Sequence, residues 1–454
     1  ESTALLPRPG RTPLPKLQLG IILLIQICEP LTSQSIYPYV NQLVSELDIT
    51  GGDEKKVGYY ACESLFFLTE AATVLQWSRA SDYVGRKPIL LTGLFGMALS
   101  IFCFGLSRTF WTLVVSRCLC GLLSGNIAGV MKSVIADMTD RTNRAQGYAF
   151  LPIVWALGAS LGPLIGGTTA RPADRFPKIF TASFWKEFPY FLPCLITGSV
   201  VLFCFLVLLI IQTNPVKTHK SSVSAESGDE NAAPPRPPLP LHEILVYPVI
   251  VSVSNYVMLA FLNTTYLALF PLFAAMPIAI GGLGLSPPTI GVLISLYGLF
   301  TGCVQFFLFA PLVHRFGEKR VFFAGMTSCL PIFGLFPIMS SIAKQSGLST
   351  AVWALFGCML ACGALMDVCF GAIFMFVTAS VPKSSRGTAN GLAQTTASLA
   401  RAIGPALGTS LFSFSVQYNI LGGYFVYFFF IVLSVLALVL AAKLPEEVWE
   451  DRDD

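Results

Sequence analysis

Twelve stretches of about twenty or more mostly apolar residues punctuate a chain of 454 residues, and they leave little choice of architecture. A bilayer core of about 30 Å takes about 20 apolar residues per helix. Lipid offers no hydrogen bonds, so each backbone polar group must be satisfied within the span, which selects helix. The runs cover residues 17–44, 57–78, 89–107, 111–138, 146–170, 188–212, 244–275, 288–311, 321–343, 350–379, 388–415 and 421–443, and are numbered here as spans 1 to 12. The runs near 30 residues are long enough to tilt or to protrude. The expected fold class is an all-α membrane protein with twelve transmembrane helices. Composition agrees: 54% of residues are hydrophobic and 12% charged, half the charge of an ordinary soluble domain. That excludes a soluble enzyme, a disordered chain and a secreted disulfide scaffold. A net charge of +4, dispersed along the chain, argues against a nucleic-acid partner.

The twelve cysteines all lie in apolar runs and read as small hydrophobes, not disulfide partners. With three histidines, all in or beside loops, no metal site is expected. Residues 1–16 carry Arg8, Arg11, Lys16 and four prolines, which is not a secretory signal, so the first span is expected to direct insertion.

Lys and Arg set the orientation. With the N-terminus inside, 18 of the 29 fall in cytoplasmic segments and eight in outer loops, while Arg117, Lys132 and Arg401 lie inside spans. The 171–187 loop runs against the trend with four basic residues. The total places both termini in the cytoplasm.

Residues 213–243 are polar and rich in Pro and Ser, with no apolar period. They read as a flexible cytoplasmic linker. The chain then divides into a tail at 1–16, six spans at 17–212, the linker, six spans at 244–443, and a tail at 444–454. The halves echo each other. Residues 35–40 and 268–273 align at an offset of 233, and Asp82-x-x-Gly85-x-Lys87 faces His314-x-x-Gly317-x-Lys319 at 232. Arg144 and Arg386, and Gly162-Pro163 and Gly404-Pro405, are 242 apart. Offsets this regular indicate two pseudo-symmetric six-helix bundles related by an axis along the membrane normal.

Three motifs follow. Between spans 2 and 3 the chain reads Ser78-Arg-Ala-Ser-Asp82-Tyr83-Val-Gly85-Arg86-Lys87. This resembles the signature loop of the major facilitator superfamily, G-x-L-A-D-R-x-G-R-K, with Ser78 at the first Gly and Tyr83 at the Arg after the Asp. Span 4 carries Arg117-x3-Gly121-x3-Gly125, similar to that family's intramembrane Arg ahead of a small-residue seam. Span 5 carries Gly158-x3-Gly162-Pro163-x2-Gly166-Gly167, which matches the antiporter motif of the family's drug:proton members. Residues 28–88, with Cys28-Glu29-Pro30 and Gly58-Tyr59-Tyr60, look like fungal members near the zinc-induced-facilitator-like group. Those relatives often have a His-rich central loop; here it holds only His219 and His242.

The resemblance implies that Asp82 meets the start of span 11 near Gly387, whose helix N-terminus carries partial positive charge. Arg86 is placed to pair with Asp137. Together with Gly85 and Lys87 these residues would form a cytoplasmic latch between the halves.

Ionisable groups deep in a bilayer are costly and mark function. At about 1.5 Å per residue, Glu29, Glu70, Asp367 and Arg401 fall within about 4 Å of the midplane, Glu63 and Arg117 about 7–10 Å outward, and Lys132 about 12 Å inward. Lys132 is expected to snorkel to the surface. In the fold that the resemblance implies, spans 2 and 11 touch and span 10 neighbours span 11, which allows Arg401 to be shared by Glu70 and Asp367. Glu29, with no evident basic partner, is the leading proton carrier, ahead of Glu63, Glu70 and Asp367. Tyr37, Trp155, Tyr256 and Tyr266 are candidates to line the cavity.

The expected activity is proton-coupled export, by alternating access, of small organic or amphipathic molecules, with protons and lipid as the other partners. Transport of a nutrient, metal chelate or siderophore is the alternative, as is a membrane sensor signalling through the linker. No GxxxxGK[ST] motif is present, no cofactor is expected, and no nucleophile–base pair suggests an enzyme. A monomer in the plasma or vacuolar membrane is the expected form.

Overall fold

A computed structural model describes residues 15–46, 55–124, 126–139, 143–210, 241–285, 287–382, 385–446 and 448–449. The linker placed at 213–243 lies almost wholly outside them, as do residues 1–14 and 451–454 of the two tails.

Among the described residues, helices follow each of the twelve apolar runs. Spans 2 and 3 are Lys55–Val84 and Arg86–Gly105; spans 5, 6 and 7 are Arg144–Thr169, Phe191–Ile210 and Tyr247–Ala275. Spans 10, 11 and 12 are Thr350–Ala379, Arg386–Gln417 and Phe425–Ala441. Spans 1, 8 and 9 are interrupted, and span 4 is described on either side of residue 125. Span 1 breaks at Ile27 into Lys16–Gln26 and Cys28–Glu46, and span 4 is Phe110–Ser124 followed by Asn126–Met138. Span 9 is Glu318–Thr327 and Cys329–Ser346. Span 8 joins Pro287–Val304 to Ala310–Phe316 through a π-helical turn at Gln305–Phe309. Single π turns inside helices concentrate at functional sites.

Among the described residues, nine helical segments are long and apolar enough to cross a membrane. Span 12 falls short in length, at 17 residues. Spans 2 and 11 fall short because they are polar, and the reason is where they sit: they pack along each other at the junction of the two halves. Many of their polar residues, among them Glu70, Ser78, Asn390, Gln394 and Ser398, are buried in protein.

The packing repeats from one half to the other. Span 1 lies on span 5, span 2 on span 4 and span 3 on span 6; span 7 lies on span 11, span 8 on span 10 and span 9 on span 12. Across the halves, span 2 meets span 11 and span 5 meets span 8. The turns after spans 2 and 8 also correspond. Gly85 (φ 105°, ψ 162°) and Gly317 (φ 82°, ψ 159°) precede the next helix in a conformation closed to residues with a Cβ. The fillers differ. The second half stacks Phe336 on Tyr427 at 4.9 Å and Phe333 on Phe430 at 5.2 Å between spans 9 and 12. The first half brings spans 3 and 6 together through glycines, with Gly105 against Cys194 and Gly198 against Phe102.

Candidate functional site

The antiporter-motif glycines recur every four residues, so they form one stripe on span 5. That stripe lies against span 1. A Cβ on Gly158 would come within 2.5 Å of Pro30 Cγ, and one on Gly162 within 2.9 Å of both Leu31 O and Ser35 N. One on Gly166 would strike the Ser35 carbonyl. Pro163 lies within the helix. Gly167 is off the stripe, with Pro38 Cβ no nearer than 3.7 Å. Span 11 repeats the device on span 7, where Gly404 faces the Thr264 and Thr265 hydroxyls and Gly408 faces Thr265.

Glu29 stands one residue before this seam. It lines a cavity of about 10 Å³ together with Thr32, Phe66, Met97, Arg117 and Ser124, room on the order of one water. Its Oε2 is enclosed and has no hydrogen-bond partner among the described residues. Arg117 Cζ lies 4.9 Å from the Phe66 ring centre. Gly121 packs on span 2, where a Cβ would approach Phe66 O at 2.6 Å and Glu70 N at 3.0 Å. Gly125 and the side chain of Glu63 lie outside the described residues, as does the side chain of Tyr37.

Deeper in the bundle a network joins the halves. Lys132 of span 4 is buried, 7% exposed. Its Nζ donates to Gln394 Oε1 at 2.9 Å and to Tyr256 OH at 3.2 Å, and sits 4.0 Å from the Phe374 ring centre. Tyr256 OH donates to Gln394 Oε1 at 3.0 Å and accepts from Arg401 Nη2 at 3.3 Å. Gln394 Nε2 donates to Glu70 Oε1 at 3.2 Å.

Three expectations change here. Lys132 does not snorkel. It points toward the other half, where a phenol, an amide and an aromatic face take the place of water. Arg401 is not shared by Glu70 and Asp367: it lies in the field of Glu70 and Glu29, and among the described residues no ion pair within 4 Å joins it to Glu70 or Asp367. Asp367 is held by neutral donors, Tyr297 OH at 2.6 Å and Asn263 Nδ2 at 2.8 Å. Its main-chain oxygen accepts from Gln305 Nε2 at 2.9 Å, at the start of the π turn. Glu29 is also less isolated than its depth suggested, because it lies in the field of Glu70, Arg401 and Lys132. Depth along a helix axis says nothing about rotation, and rotation decides which charges meet.

At one end of the bundle Asp82 meets span 11. Gly387 N–H donates to Asp82 Oδ1 at 3.1 Å; Thr388 N–H and its hydroxyl donate to Oδ2 at 2.8 and 3.0 Å. Arg86 Nη1 lies 2.6 Å from Asp82 Oδ1 and donates to Ser81 Oγ at 2.6 Å. Arg86 Nη2 is 3.6 Å from Asp137 Oδ2, and Arg386 Nη1 is 3.4 Å from Asp137 Oδ1. Arg386 also donates to Ala136 O at 3.2 Å. Lys87 turns to span 6 and donates to Leu209 O at 3.4 Å. Further bonds stitch the same end: Asn390 Nδ2 to Ser133 Oγ at 3.1 Å, and Tyr148 OH to Thr378 Oγ1 at 2.7 Å.

Sequence reasoning missed Gln394, Asn390, Asn263 and Tyr297. A signal for two of them was present. Arg386, Asn390, Gln394 and Ser398 recur every four residues on span 11, and all four are buried. Of the aromatic candidates, Tyr256 and Tyr266 are buried and Trp155 is exposed. The eleven described cysteines are free. No group of three His, Cys, Asp or Glu that could hold a metal occurs among the described residues.

The family model of the Major Facilitator Superfamily matches residues 22–279 and 264–452. The chain is 30% identical to the major facilitator-type transporter psiT2 of Psilocybe cubensis, over 96% of this chain and 91% of that protein. It is 29% identical to the major facilitator superfamily multidrug transporter mfsB of Aspergillus fumigatus, over 87% and 78%. Among solved structures, the human organic anion transporter MFSD10 (TETRAN) has a TM-score of 0.69 at 19% identity, over 95% of this chain and all of that one.

Proposed function

Given that the chain belongs to the major facilitator superfamily, and so is a multi-pass membrane transporter and not an enzyme, we propose that it is a proton-coupled antiporter that exports small organic or amphipathic molecules. The proposed orientation follows the Lys/Arg distribution, with both termini and the Asp82 end in the cytoplasm. The proposed latch is Asp82, Gly85, Arg86, Lys87 and Asp137, which together with Arg386 close that end and leave the opposite side as the route of access. The boundaries of the two bundles and the linker at 213–243 belong to the same reading.

One observation carries the proposal. The glycine stripe of span 5 is pressed onto span 1 directly after Glu29, and Glu29 Oε2 is enclosed with no donor among the described residues. A carboxylate oxygen held beside a cavity of about 10 Å³ is satisfied by a water, by a proton, or by a cationic or hydrogen-bonding group of a substrate. If proton and substrate compete, loading one releases the other, which is what exchange requires. The name of mfsB, a multidrug transporter, supports a broad small-molecule substrate range.

The test is flux in proteoliposomes with an imposed pH gradient, screened over a chemically varied library. Glu29→Gln mimics the protonated form. It should abolish gradient-driven flux while substrate exchange without a gradient persists. Normal gradient-driven transport by this variant would move the proton site to Glu63, Glu70 or Asp367.

A further inference from the structure

Lys132 belongs to the first half, yet among the described residues the hydrogen-bond and ring partners of its ammonium belong to the second: Tyr256 on span 7, Phe374 on span 10 and Gln394 on span 11. Glu70, also of the first half, is bonded to the same Gln394. One side-chain amide of the second half is therefore clamped between a cation and a carboxylate of the first. The two ends of the amide are not equivalent: its oxygen can only accept and its nitrogen can only donate. The ammonium fixes the oxygen and the carboxylate fixes the nitrogen, so both charges enforce one orientation.

From this geometry we infer that Lys132, Gln394 and Glu70 form an internal lock that makes opening of the Asp82 end depend on the charge of Glu70. The halves cannot part at this depth without breaking Lys132 from its partners and Gln394 from Glu70. Hydrogen bonds to ionised groups are roughly twice as strong as neutral ones. A proton on Glu70 turns one charged contact of the clamp into a neutral one and loosens it. Ionised Glu70 tightens it. The groups facing Glu70 are Arg401 of span 11, Lys132 of span 4, Tyr256 of span 7 and Glu29 of span 1. Because Glu29 shares this field, a proton taken up by either carboxylate alters the charge that Gln394 meets. Gln394 is a positioning residue here: it conveys the charge state of Glu70 to the other members of the clamp. The inference rests on the proton-coupled reading for what drives the cycle, but the lock itself is a property of the conformational equilibrium.

The test is a double-mutant cycle read as distance, not as flux. Labels at the exposed Tyr83 and Phe316 positions, in the last turns of spans 2 and 8, report opening of the Asp82 end in the reconstituted full chain. Glu70→Gln should raise the open-to-closed ratio about five- to tenfold, the difference between a hydrogen bond to a charged group and one to a neutral group. Gln394→Leu should raise it at least as much. The double variant should go no further than Gln394→Leu alone, because the charge is then no longer conveyed. Asp82→Asn combined with Gln394→Leu should be additive. If Gln394→Leu does not fold, Lys132→Met enters the same cycle and should also be non-additive with Glu70→Gln. Additive effects of Glu70→Gln and Gln394→Leu, or no response to Glu70→Gln, overturn the lock. A non-additive cycle in a protein whose flux ignores the pH gradient keeps the lock and removes the proton-coupled reading.

Discussion

Asp82 receives the first turn of span 11, with its Oδ2 2.8 Å from Thr388 N and 3.0 Å from Thr388 Oγ1. A helix start presents unsatisfied N–H groups and partial positive charge, and a carboxylate answers both. The residues are 306 apart in sequence, so this contact joins the two halves. Asp82→Asn keeps the volume and removes the charge. Each bond to the ionised group is worth about 1.5–3 kcal/mol, so the open population at this end should rise tenfold or more while expression survives. Gly387→Ala should act in the same direction, because a Cβ there would collide with Asp82 Oδ1 and approach Arg86 Nη1 at 2.6 Å. Unchanged distances between the ends of spans 2 and 8 in both variants would remove the latch role.

The span 5 seam predicts a contrast between adjacent glycines. Gly166→Ala forces a methyl group into the Ser35 carbonyl, whereas at Gly167 the nearest atom is 3.7 Å away. Overpacking of a close helix contact costs about 1–3 kcal/mol. Gly166→Ala should lower the thermal unfolding midpoint in detergent and Gly167→Ala should not. Equal midpoints would mean that spans 1 and 5 are not held by this stripe.

Asp367 is anchored by Tyr297 OH at 2.6 Å. Tyr297→Phe keeps the ring and deprives a buried carboxylate of one donor, at a cost of about 1–3 kcal/mol. Thermal stability should fall by that amount, and flux should still follow the pH gradient, since Glu29 is the proposed carrier. Intact stability with loss of gradient-driven flux would shift the carrier to Asp367.

The orientation is checked by cysteines introduced at positions 53 and 230. A membrane-impermeant maleimide applied from outside should mark only position 53. Reaction at 230 in intact, correctly inserted protein would reverse the topology.

Span number, the two halves and the motif positions were all legible in the sequence. Each depends on local quantities: length of apolar run, spacing of glycines, and regular offsets between repeats. The Asp82 turn and the span 5 seam belong to this class, because their residues are adjacent and their partners are fixed by the family fold that they resemble. Charge pairing was not legible in the same way. Lys132 has the sequence setting of a snorkelling lysine, and only the approach of spans 7, 10 and 11 surrounds it with Tyr256, Phe374 and Gln394. Arg401 and Asp367 lie at similar depth, yet helix rotation gives Asp367 to Asn263 and Tyr297 and gives Arg401 to Tyr256. Hydropathy depends on how many apolar residues a segment has, and a count survives projection onto one dimension. Which polar atoms meet depends on the rotation and crossing of helices hundreds of residues apart, and that is decided only when the two bundles pack.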